Sequence, residues 1–95
     1  MNEEQDNYAS LISDLQREAS SRLRLARNGN SAVADAIMFY IQKGDQAGLS
    51  PEELVDFFAV STPNVLEDAG YVGDAGDDVV ALFDKLHSDF QNSKR

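Results

Sequence analysis

The chain has no cysteine, no tryptophan, a single histidine and only two prolines among its 95 residues. Without thiols there is neither disulfide nor thiolate chemistry, and the redox compartment is left open. With His87 as the lone imidazole and no cysteine, a zinc site lacks its ligands, and no metal or cofactor is expected. Basic residues are also scarce, 8 against 17 acidic, for a net charge of -9. That balance favours solubility and basic partners over bare nucleic acid or an anionic membrane. No apolar run approaches the length that spans a bilayer, and the first residues are acidic where a signal peptide is basic. A soluble, cytoplasmic protein is the expectation. Strand-like alternation is missing too, so the fold class expected is all-α, one small domain over residues 1–95 with about five helices.

Apolar spacing supplies those helices. Tyr8, Leu11, Ile12, Leu15, Ala19, Leu23 and Ala26 recur at three- and four-residue steps, which predicts a long amphipathic helix over residues 3–27, stopped by Asn28 and Gly29. Its length allows a dimer seam, and the last helix is the other candidate for a homodimer contact. Ser31 is the expected cap of a second helix, residues 32–43, whose run from Ala36 to Ile41 is apolar nearly all round and belongs in the core. Gly44 and Gly48 are expected to bracket a loop. After Gly70 the stretch YVGDAGD reads as a turn-rich connection, with Asp77 or Asp78 capping a last helix built on Val79, Val80, Leu82, Phe83, Leu86 and Phe90. Residues 91–95 are expected to fray.

Both prolines fall in one segment, LSPEELVDFFAVSTPNVLED, residues 49–68. Ser50, Pro51 and Glu53 form a capping box with proline at the first helical position. Leu54 and Phe58 then share a face, until Ala59, Val60 and Ser61 break the pattern. A second helix restarts with Ser61 or Thr62 as cap and Pro63 at its first position, buries Val65, Leu66 and Ala69, and stops at Gly70. This segment resembles the helix-turn-helix of small bacterial and phage transcription regulators, with Leu49, Ser50, Glu52, Glu53, Leu54, Val60, Ser61, Pro63 and Val65 in register. Val55, Ala59 and Asp68 depart from that pattern, which prefers a small residue, a turn glycine and an apolar residue there. The resemblance implies a regulator of transcription or another DNA transaction, acting as a dimer, with Ser61, Thr62, Asn64 and Glu67 aimed at DNA. Asn can pair with adenine and Glu can accept from cytosine.

Charge opposes that use. Glu52, Glu53, Asp56, Glu67 and Asp68 lie on or beside the two motif helices, which contain no Lys or Arg. A like charge held roughly 4 to 6 Å from a phosphate costs on the order of 1 kcal/mol even in water-like dielectric. Phosphate contacts would have to come from Arg17, Arg24 and Arg27, which share one side of the first helix, whereas Arg22 points elsewhere. The same arginines serve equally as a solvated face pairing with Asp14 and Glu18, or as contacts to a partner. The alternative takes the acidity at face value: an acidic protein–protein interaction module, or a mimic whose carboxylates imitate a phosphate row and occupy the groove of a basic nucleic-acid-binding protein. Enzymatic readings find little support. His87, beside Leu86 and Phe90, is expected to pack; adjacent carboxylates such as Asp77 and Asp78 diverge by about 100° on a helix; residues 74–85 lack the glycine and final acid of a calcium loop; and glycines 70, 73 and 76 lack the lysine of a phosphate loop.

Overall fold

Three aromatic rings from three different segments meet at the centre of the molecule, and the helices are arranged around them. The computed structural model describes residues 3–26 and 29–94, in which five α-helices and no strand occur: α1 (Glu3–Leu25), α2 (Asn30–Gln46), α3 (Pro51–Val55), α4 (Val65–Ala69) and α5 (Asp74–Ser93). The expected small all-α domain is what forms. Tyr40 of α2 and Phe83 of α5 flank Phe58, which stacks on Phe83 at a ring-centroid distance of 4.3 Å and lies 5.3 Å from Tyr40. All three rings are essentially inaccessible to solvent. The Tyr40 hydroxyl donates to the Leu54 carbonyl at 2.5 Å, so the one polar atom of this cluster is satisfied.

Boundaries differ from expectation where tertiary contacts intervene. α2 begins at Asn30 behind Gly29, not behind Ser31, and no side chain caps it. It runs through Gly44 to Gln46, then closes with Gly48 in the left-handed region (φ 90) while Leu49 N donates to Gly44 O and Gly48 N to Asp45 O. α4 ends in the same Schellman pattern: Gly70 has φ 82, Tyr71 N donates to Leu66 O and Gly70 N to Glu67 O. α5 starts one turn earlier than expected, at Asp74 behind Gly73. Gly76 lies inside it because a Cβ there would approach the Tyr71 carbonyl oxygen to 3.1 Å. α5 runs as helix past residue 90, where fraying is expected, to Ser93, and Lys94 reaches back to the Asp45 carboxylate.

α1 lies on the body. Leu15, Ala19, Leu23 and Ala26 are buried against α2 and α4, so most of the apolar stripe on which a dimer seam was expected is covered within the chain. Gln16 Nε2 donates to the carbonyls of Phe57 (3.0 Å) and Pro63 (3.3 Å), and the Tyr71 hydroxyl donates to Leu23 O at 2.6 Å. α1 therefore runs beside α4 in the same direction. α1 leaves apolar surface in water at both ends, with Tyr8 and Leu11 exposed near its start and Leu25 exposed at its end.

Candidate functional site

The segment from Ser50 to Gly70 begins as its local chemistry dictates. Ser50 Oγ accepts from Glu53 N at 3.2 Å, and the Glu53 carboxylate accepts from Ser50 N at 2.9 Å, closing the capping box with Pro51 at the first helical position. The Tyr8 hydroxyl adds a third hydrogen bond to Glu53. These donors, Ser50 N first and then Tyr8, hold the Glu53 carboxyl below its ordinary range. Beyond Val55 the helix widens into a π-helical turn, Asp56–Val60, with Ser61 N donating to Asp56 O at 2.8 Å. Phe58 points inward from this turn and Val60 outward, 66% exposed.

The second half departs from the expected arrangement. Neither Ser61 nor Thr62 caps α4, and Pro63 lies outside it, joined to Thr62 by a cis peptide bond. Asn64 is the cap: its Oδ1 accepts from Glu67 N at 2.9 Å and its Nδ2 donates to Ser61 O at 2.7 Å. Asn64 is buried, with both the oxygen and the nitrogen of its amide engaged within the chain, so it is turned inward where an outward role was expected. Ser61 is half-buried and donates its hydroxyl to the Asp56 carboxylate. Of the residues expected to face DNA, only Thr62 and Glu67 are exposed. The outward surface of α4 is Glu67 and Asp68, two carboxylates and no cation.

Of the three arginines expected to grip phosphate, the two described are each engaged within the chain. Arg24 donates to the Asp68 carbonyl at the C-terminal end of α4, a placement the negative end of a helix favours. Arg17 stays largely exposed, with its guanidinium 3.7 Å from Asp14. Arg22 pairs with Glu18 at 3.6 Å and covers the Phe39 ring at 3.9 Å. Arg27 lies outside the described residues. Among the acidic candidates, Glu53 and Asp56 are half-buried and engaged with Tyr8, Ser50 and Ser61, while Glu52, Glu67 and Asp68 are exposed.

Sequence reasoning missed a groove. Pro51, Glu52, Val55, Asp56, Val60 and His87 line a shallow, mainly apolar depression of about 330 Å³ where α3 and its π-helical turn meet α5. His87 is buried, its ring 5.2 Å from Phe83 and its Nε2 3.4 Å from Gln91 Nε2. Burial pushes its pKa down, partly offset by Asp84. Smaller clefts beside Arg22 and Lys43 each include a cation in their walls, whereas this groove has acids alone at its rim. No sequence signal marked the groove, because Val60 reads there as one of the residues in register with the helix-turn-helix pattern. Among the described residues no group of His, Asp or Glu could hold a metal ion, and no helix is long and apolar enough to cross a membrane. Comparison of the chain with protein families, with curated proteins and with solved structures found no match.

Proposed function

We propose that this chain is a small, non-enzymatic binding module that presents an acidic face to a basic protein, of the class whose own surface is built to hold nucleic acid. The observation that carries this reading is the outer side of α4: Asn64 is turned inward as a cap, Arg24 is committed to Asp68 O, and Glu67 and Asp68 are what a partner meets. Residues 44–90 hold eleven acidic side chains against Lys85 alone, so a cationic surface is attracted from a distance and duplex DNA is repelled. A regulatory role in transcription or another DNA transaction follows if the partner is a repressor, polymerase or nuclease whose groove the carboxylates fill.

The second reading is a dimeric helix-turn-helix regulator that touches DNA itself. The capping box at Ser50 and the exposed Thr62 and Arg17 favour it. A homodimer would be built on apolar residues left uncovered, such as Tyr8 and Leu11 at the start of the α1 stripe, or Leu25 and Val72, all exposed.

Two titrations separate the readings. Labelled duplex DNA at low salt should show no change in anisotropy with added protein, whereas the protein should displace that DNA from a lysine-rich peptide. Displacement should weaken as salt rises and with Glu67→Lys and Asp68→Lys together. Direct DNA binding that Arg17→Ala reduces would overturn the acidic-face reading in favour of the regulator.

A further inference from the structure

The acid-rich half of the chain is not uniformly polar, and the groove between α3 and α5 is an apolar feature of its surface. Val60 stands 66% exposed at its edge, Pro51 and Val55 form its walls, and Glu52 and Asp56 carry negative charge along the rim. At about 330 Å³ it has room for one large aliphatic or aromatic side chain. The π-helical turn Asp56–Val60 shapes this edge, sending Phe58 into the core and leaving Val60 at the surface. Such turns recur at functional positions because the widened backbone re-aims side chains that a regular helix would keep in line.

We infer that this groove receives an apolar side chain, Leu, Ile or Phe in kind, presented between Lys or Arg residues of a basic protein partner. The inference rests on the acidic-face reading and names the site at which that face becomes selective. Charge complementarity chooses the occupant. A cation on either side of the anchor would meet Glu52 and Asp56, and no Lys or Arg lines the groove to oppose it. A second copy of this chain fits less well: a two-fold contact through the groove sets Glu52 and Asp56 against their own counterparts in molecules of net charge -9. The charges attract a broad class of basic surfaces, and the groove selects those that carry an apolar residue at the right place. Burying one such side chain strengthens binding by about tenfold or more.

The test is an NMR titration of the labelled protein with three peptides, Lys-Lys-Leu-Lys-Lys, its Phe analogue and its Ser analogue. The Leu and Phe peptides should bind about tenfold more tightly than the Ser peptide, with shifts centred on Val55, Val60 and His87. Val60→Ser, at an exposed position that leaves the core intact, should erase that preference, and Glu52→Gln should weaken all three peptides alike. If the three peptides bind equally, with shifts scattered over Glu67 and Asp68, the groove assignment fails and the acidic-face reading survives. If no cationic peptide binds, both fail. Sedimentation showing a dimer that Val60→Ser dissociates would make a second copy the occupant and overturn the inference.

Discussion

Leu54 Cδ2 fills the space that a Cβ at position 44 would need, 2.2 Å from where that atom would stand. Gly44 is therefore a close-approach glycine inside α2, where α3 crosses it, and not a loop residue. Gly44→Ala gains about 1 kcal/mol of helix propensity, yet it must displace a fully buried leucine, for a net loss of roughly 1 to 3 kcal/mol. Chemical denaturation should show a lower midpoint at unchanged slope. In a double-mutant cycle with Leu54→Ala the two losses should be less than additive, because the truncated side chain makes room.

Asn64→Ala should cost about 1 to 2 kcal/mol, since it removes the cap of a five-residue helix and leaves the Ser61 carbonyl without its donor. Asn64→Asp keeps the acceptor for Glu67 N and should lose less. Thermal unfolding measures both. An Asn64→Ala protein as stable as the parent would return this residue to the outward role that its position in the motif suggested.

Acidification should destabilise the fold in two windows. His87 has its folded pKa below the ordinary value near 6.5, so its neutral form is favoured by folding. Its contribution is whole above that value and is lost as the pH falls from there toward the folded pKa, where the unfolded chain binds the proton first. Glu53 follows at lower pH, as its carboxyl is protonated and its bonds from Ser50 N and Tyr8 are given up. Relief of the net charge of -9 acts in the opposite direction on the whole molecule. The diagnostic is thus the difference between parent and His87→Gln in urea midpoints, which should narrow between neutral pH and the window below 6.5.

Tyr71→Phe and Tyr8→Phe remove hydroxyls that tie α1 to the rest of the chain, one buried and one exposed. The first should cost about 1 kcal/mol by leaving Leu23 O without that donor, the second no more than about 0.5 kcal/mol, because water replaces the partner. Hydrogen exchange along α1 should accelerate around Leu23 in the first variant and hardly at all in the second.

These contrasts mark what could be read in advance. The start of α3 was legible because Ser50, Pro51 and Glu53 satisfy one another within four residues, with no help from elsewhere. The start of α4 was not. Ser61, Thr62 and Asn64 are all good caps, and the choice among them was made by groups outside the cap, one near and one distant: Asp56 takes the Ser61 hydroxyl, and Gln16 holds the carbonyls of Phe57 and Pro63. The aromatic core, the glycine stop at position 70 and the all-α character follow from spacing and cap chemistry. The groove does not, because its walls come from α3 and α5 and its edge from a backbone turn with no sequence signature.

The pairing of α1 with α4 has a consequence for how the molecule comes into being. Gln16 and Leu23 bond to groups 41 to 48 residues further along, so α1 cannot finish docking until α4 has been made. Over that interval Leu15, Ala19 and Leu23 have only α2 to cover them. α4, at five residues far too short to persist alone, takes its form against α1. Each is the other's template, and a nascent chain ending before residue 65 holds a first helix with half its partners missing.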